Sequence, residues 1–253
     1  MSGKRLILCA LILFGMAGQV IGAGDIDDEF KMASGFYEKK DYQSAIRLYE
    51  SILSQGKESD AIYFNLGNAY FKTGDLGHAI LNYLKAKRLN PGDEDIRHNL
   101  EFARRYSRVQ MEGVELNPVN SFFSSLVDNY GFGTLVWLSS AFFVLLMLVL
   151  IVRYGIGINS LLVRVAIAVL LIFLMVSAGL TSFKYREDYA TSRAVIVAEE
   201  SPVYTGPSEQ SGIELEGAPG LIVEILDESG GYYDVLFENK RRGWIQKELV
   251  AVL

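Results

Sequence analysis

A stretch near the N-terminus repeats itself at a period of 34 residues: Ala33, Phe36, Ala45, Tyr49 and Ile52 recur as Gly67, Tyr70, Ala79, Tyr83 and Ala86. Such a period constrains the fold more than composition does, because each copy is one supersecondary unit that buries its apolar face only against its neighbours. In the second copy Tyr63, Leu66, Gly67 and Tyr70 lie at helical spacing, and Ala79, Ile80, Tyr83 and Ala86 form a second helical stripe. Gly67 and Ala79 are small where two antiparallel helices must approach closely. Thr73-Gly74-Asp75, and Lys40-Asp41 in the first copy, read as the turns between paired helices. Pro91 ends the last helix of the second copy, since it cannot donate the next backbone hydrogen bond. Glu94 to Arg108 carries Ile96, Leu100 and Ala103 at helical spacing with no partner helix after it, which predicts a capping helix.

The pattern resembles the tetratricopeptide repeat, and the reading is an all-α repeat stack over residues 26–110. The resemblance implies a protein-binding role, with the first helix of each repeat lining a concave groove. On that alignment copy one offers Asp27, Phe30, Ser34, Tyr37 and Glu38, and copy two offers Ala61, Phe64, Asn65, Asn68, Phe71 and Lys72. Asn65 and Asn68 match positions that grip peptide backbone or C-terminal carboxylates in some family members. Phe64 stands where carboxylate-clamping relatives carry Lys, so the implied ligand surface is aromatic and less dependent on charge. For Phe64 and Phe71 two readings are open: ligand anchors, or packing against the next helix.

Half of the residues are hydrophobic, and three apolar runs account for much of that. Lys4-Arg5, the run Leu6 to Gly18 and the small residues up to Ala23 have the order of a secretory signal peptide, assigned to 1–23 with cleavage after Ala23. An uncleaved anchor is the alternative, and it leaves the following domain on the same side of the membrane. Cys9, the single cysteine, lies within this segment, so the mature chain has no thiol for a disulfide or a metal. Residues 134–152 form an uncharged run of about 28 Å as a helix, close to the thickness of a bilayer core. Residues 161–183 form a second, with Arg164 near enough to its start to snorkel to the headgroups. Export of the repeats, the Arg153 and Arg164 of the short connection and the absence of Lys or Arg from Val109 to Gly133 put the hairpin tip in the cytoplasm. Lys184 and Arg186 pull weakly the other way. The expected location is the bacterial inner membrane, spanned twice, with both flanking domains in the periplasm or outside.

The linker 111–133 places Phe122, Phe123, Leu126, Val127 and Tyr130 on one helical face, with Ser124, Ser125 and Asp128 on the other. It reads either as an amphipathic helix lying at the bilayer interface or as a helix packed on the repeats. After the second span the period changes from 3.6 to 2. Residues 194–198, 221–226, 232–237 and 242–245 are short β-branched or aromatic runs between turn residues, which predicts a small all-β barrel. Val195-Ile196-Val197, Val203-Tyr204, Gly206-Pro207-Ser208, Leu221 to Ile225, Tyr233-Asp234-Val235 and above all Gly243-Trp244-Ile245 resemble the bacterial SH3-like domain, assigned to 190–253. Tyr204, Tyr232, Tyr233 and Trp244 are its candidate sugar or peptide platforms, with core or turn packing as the alternative.

The formal net charge of −6 resides in this C-terminal module, whose surplus of carboxylates over basic residues argues against nucleic-acid binding. A search for chemistry yields little. His78 and His98 lack ligand spacing, and no cofactor or metal is expected. Ser54-Gln55-Gly56-Lys57 fits S-x-x-K but lacks the partner motifs of penicillin-recognising enzymes. No catalytic residue is assigned. The order of signal peptide, tetratricopeptide repeats, membrane hairpin and SH3-like domain, with Asp95-Ile96-Arg97-His98-Asn99-Leu100-Glu101 after the repeats, resembles BatE-type proteins of the Bat aerotolerance operon. That resemblance implies a noncatalytic multidomain membrane protein that works with Bat-type von Willebrand A domain proteins and a MoxR-type ATPase. The expected function is a membrane-anchored scaffold in contact with the lipid bilayer and with other envelope proteins. The alternative is a peptidoglycan-binding or envelope-stress protein acting through the SH3-like domain.

Overall fold

The computed structural model describes residues 23–106 and 118–253; residues 1–22, where the expected signal peptide falls, and the linker stretch 107–117 lie outside the described residues. Five helices come first: α1 (Ala23–Glu38), α2 (Tyr42–Ser54), α3 (Asp60–Thr73), α4 (Leu76–Leu89) and α5 (Glu94–Tyr106), each packed against the next. Their starts are set by short polar side chains. Asp41, Ser59, Asp75 and Asp93 each accept a hydrogen bond from the backbone N–H three residues on, at 3.1–3.2 Å, which satisfies one of the orphan donors of a helix N-terminus. The helices pair because their small residues face each other. A Cβ added to Gly67 would stand 2.8 Å from the Tyr83 ring and 3.2 Å from the Ala79 carbonyl, so no larger residue fits between α3 and α4 without moving one of them.

The next helices are α6 (Pro118–Val127), α7 (Phe132–Gly155) and α8 (Leu161–Tyr185). Helices α7 and α8 lie against each other and are joined by a hydrogen bond between the Ser139 and Thr181 hydroxyls at 3.1 Å. Both are long and apolar enough to cross a membrane. Side chains such as Leu148, Leu162, Phe173 and Met175 stand exposed along them. The helical backbone outruns the uncharged stretch 134–152 by Phe132-Gly133 before it and Arg153, Tyr154 and Gly155 after it. Helix α6 packs on the end of α8 through Phe123 and Phe183, whose ring centroids are 5.8 Å apart.

A π-helical turn, Arg186–Ala190, leads from α8 into seven strands: β1 (Arg193–Ile196), β2 (Ser201–Tyr204), β3 (Ile213–Gly217), β4 (Ile222–Ser229), β5 (Tyr232–Phe237), β6 (Arg242–Gln246) and β7 (Val250–Val252). They form one antiparallel sheet in the order β3-β2-β6-β5-β4-β1-β7. Strands β3 and β1 are far apart in that order, yet a Cβ on Gly217 would lie 2.7 Å from Ile196 Cδ1. The sheet therefore rolls over on itself, and its inner face closes on one cluster of Ala194, Ile196, Val203, Val223, Val235, Phe237 and Ile245.

The repeats and the sheet are not separate beads. Val195 of β1 is buried in the same cluster as Ala79, Ile80 and Tyr83 of α4 and Leu100 and Ala103 of α5. Gly77, at the start of α4, permits this contact: a Cβ there would come within 2.6 Å of Val197 Cα and 2.8 Å of the Ile196 carbonyl. Arg104 on α5 also reaches Glu238, in the β5–β6 turn, at 3.4 Å.

Candidate protein-docking surfaces

Helices α1, α3 and α5 share one face of the repeat stack, and the side chains on that face are organised twice over by the 34-residue period. Tyr49 on α2 meets the Ser34 hydroxyl at 3.0 Å and the Phe30 ring at 5.7 Å. One period later Tyr83 on α4 donates to Asn68 Oδ1 at 2.7 Å and meets the Phe64 ring at 6.0 Å. Each tyrosine thus spans its helix pair, with its ring against the phenylalanine and its hydroxyl on the polar residue of the first helix. Burial raises the pKa of both tyrosines, and at Tyr49 the bond to Ser34 opposes the shift. Both hydroxyls remain neutral across the physiological range.

Phe30, Ser34 and Phe64 are accordingly half-buried and engaged within the stack. Tyr37 is half-buried edge-on against Tyr42, with centroids 5.3 Å apart. Asn65 is half-buried and makes no side-chain hydrogen bond among the described residues, while Lys72 is exposed. Asn68 is shared further, since its Oδ1 also accepts from Asn99 Nδ2 on α5 at 3.2 Å. Phe71 lies between Phe102 and Tyr106, with centroids at 5.7 and 5.6 Å, and those two rings meet each other at 5.1 Å.

Asn99, Phe102 and Tyr106 complete this end of the face, and reading the sequence for its buried stripe passes over them. They sit on α5 at i, i+3 and i+7, one face away from Ile96, Leu100 and Ala103, which are buried. The signal was a second, aromatic stripe on a helix that looked like a cap. Phe102 is 42% and Tyr106 59% exposed, so with Phe71 they make an apolar surface, and the Asn68–Asn99 amide pair lies beside it.

A second surface lies on the outer face of the sheet. Tyr204 pairs with Trp244 across β2 and β6, and Trp244 with Asp234 across β6 and β5, so Tyr204, Trp244 and, two residues from Asp234, Tyr232 point to the same side. The Tyr204 and Tyr232 rings stand 6.2 Å apart, edge to face, with exposed Ile213 opposite Tyr204 on β3. Gln246 joins the rim by donating to Glu209 at 2.8 Å. Tyr233 points the other way: it packs on the inner cluster, with Lys247 Nζ 4.9 Å from its ring centre. The structure thus brings together three of the four candidate aromatics and separates the fourth. Arg242 covers the buried Asp234 carboxylate with a forked pair of hydrogen bonds, which fixes β5 against β6 beneath the aromatic patch.

Among the described residues no group of three or more His, Cys, Asp or Glu is placed to hold a metal ion. A family model of the tetratricopeptide repeat matches residues 61–93, which covers α3, α4 and the turn that follows. No curated protein matches the chain. The helical repeat stack and the matched repeat support a role in protein–protein interaction.

Proposed function

We propose that this chain is a noncatalytic scaffold anchored in the bacterial inner membrane, whose exported repeats hold a partner protein beside the bilayer. The observation that carries the reading is the cluster of half-buried Phe71 with exposed Phe102 and Tyr106 beside the Asn68–Asn99 pair, an aromatic anchor with polar groups at its edge. In this reading α7 and α8 are the anchor, the rolled sheet is a bacterial SH3-like domain, and the complex is of the Bat type, with a von Willebrand A domain protein as the partner. The test is binding of the purified full chain to such a protein. Replacing Phe102 and Tyr106 together with Ser should weaken binding by more than tenfold, because central aromatic anchors contribute about 2 kcal/mol or more each. Both rings are exposed, so helix content measured by circular dichroism should not change. Undiminished binding by the folded double variant would remove the groove from the function.

A second reading, peptidoglycan binding through the sheet, is favoured by the shared outer face of Tyr204, Tyr232 and Trp244. Sedimentation of the full chain with purified cell wall tests it, with Trp244→Ala expected to abolish the effect if the patch is a sugar or peptide platform.

A further inference from the structure

We infer that the junction of repeats, second apolar helix and sheet is a binding site for a phosphate-linked primary amine, the headgroup of an ethanolamine phospholipid. The inference rests on the membrane reading given above. A cavity of about 130 Å³ opens where α4, the end of α8 and β1 meet. Most of its charges are already matched. Lys184, 6% exposed in the last turn of α8, pairs with Asp188 at 3.3 Å, and Lys87 on α4 pairs with Asp128 at 3.5 Å. Two groups are left over. Arg88 lies with its guanidinium 4.9 Å from the Tyr189 ring centre and has no carboxylate within ion-pair distance among the described residues. Glu187 has one oxygen, Oε1, 3.8 Å from Arg193, whereas its Oε2 is buried with no hydrogen-bond partner among the described residues.

A buried carboxylate oxygen without a donor is costly, and the structures that keep one usually have a use for it. Here a cation and an anion without full partners line the same cavity, a pattern that suits a zwitterion. The guanidinium matches a phosphodiester, and the Glu187 carboxylate, whose side chain is 22% exposed, matches an ammonium that carries N–H donors once a turn of the side chain brings the buried Oε2 to the cavity. The position fits a lipid. Phe132 at the start of α7 meets Tyr185 and Tyr189 at 5.8 and 5.4 Å, an aromatic group of the kind that marks the headgroup layer, immediately beside the cavity. The same chemistry discriminates among headgroups. Choline has no N–H to donate to Glu187, glycerol has no cation, and serine adds a carboxylate that Glu187 and Asp188 would repel.

The experiment uses the full chain, extracted from membranes and reconstituted with equal parts of phosphatidylethanolamine, phosphatidylcholine and phosphatidylglycerol, with retained lipid measured by native mass spectrometry. Phosphatidylethanolamine should be retained over the other two by about tenfold, the worth of one charge-assisted hydrogen bond. Glu187→Gln should erase the preference for the amine headgroup, and Arg88→Gln, on the other wall, should reduce retention of all three lipids; either variant suffices if the other fails to fold. Equal retention of the three lipids by the wild type, or an unchanged preference in folded Glu187→Gln, would overturn the proposal. Release of the retained lipid by micromolar soluble phosphoethanolamine would assign the site to a free metabolite instead. Carbonate extraction separates the two levels of failure: a chain washed off the membrane fails the membrane reading, whereas an integral chain with no lipid preference fails this inference alone.

Discussion

Lys40 and Gly74 occupy the same position in successive repeats, and both lie in the left-handed region, at φ +62° and +87°. Glycine is at ease there and lysine is not, since an L side chain in that region costs about 1–2 kcal/mol. Lys40→Gly should therefore stabilise the first helix pair by about 0.5–1 kcal/mol once the added freedom of the unfolded chain is deducted, and a thermal melt reads the gain. One residue after Gly74, Asp75 accepts from the His78 backbone N–H at 3.1 Å and meets its ring nitrogen at 2.8 Å, while the imidazole stacks on Tyr70 at 5.0 Å. The hydrogen bond with Asp75 raises the His78 pKa above 6.5 against the opposing effect of burial, with the charges of Asp75 and Glu50 adding to the rise. A raised pKa means that the folded state holds this proton more tightly. The stabilisation is fully present below pH 6.5 and is lost as pH rises through the folded-state value. At the acid end it is lost as Asp75 protonates: burial pushes that carboxyl up, but the hydrogen bonds from His78 outweigh it and hold its pKa below 3.8. The pair is about one-third exposed, so solvent screening limits the effect to about 0.2–1 kcal/mol. Melting temperature should fall slightly between pH 6 and pH 8, and His78→Gln should flatten that slope.

Among the elements, those bounded by strong local signals were legible in advance, and those shaped by contacts were not. The pairing of α3 with α4 follows from Gly67, Ala79 and Gly74, and β5 and β6 from the alternation in Tyr232 to Phe237 and Gly243-Trp244-Ile245. Strand β3 carries little signal in the sequence, because Ile213-Glu-Leu-Glu-Gly217 turns a single apolar side chain, Leu215, to the core and is otherwise an exposed edge. Strand β7 has three residues and exists by pairing with β1. The aromatic trio of the repeat face was half-legible: Phe71 was singled out by its place in the repeat, whereas Phe102 and Tyr106 become its neighbours only through the way α5 docks. Least legible of all was Gly77, which looks like an ordinary small residue in a helical repeat. Its role comes from Val197, 120 positions away in the chain. Gly77→Ala should force α4 away from β1 and destabilise the junction by about 1–3 kcal/mol, the usual cost of overpacking. The helices themselves should survive, because alanine is the better helix former. Amide exchange should then quicken at Val195 to Val197 while α1 and α2 stay protected.

For the whole molecule, the direct packing of repeats on sheet has a topological consequence. Residues before α7 and after α8 meet in one cluster through Val195, Tyr83 and Leu100, so the two modules stand at the same end of the helical hairpin. If α7 and α8 cross a bilayer, both modules lie on one side of it, and the turn between Gly155 and Leu161 lies on the other. A single-span arrangement, or one with the modules on opposite faces, would have to break that cluster and the Arg104–Glu238 pair together. Which side holds the modules is then one binary question, and three engineered cysteines answer it. With an exported repeat domain, a cysteine at Asn159 should be shielded from membrane-impermeant thiol reagents in intact cells. Cysteines at Ser59 and Ser229 should be labelled once the outer envelope is permeabilised. Labelling at Asn159 with protection at the other two would place both modules in the cytoplasm and would still respect the shared end. Labelling at only one of Ser59 and Ser229 would contradict the packing itself, since no orientation of a two-span hairpin can separate two surfaces that share a core.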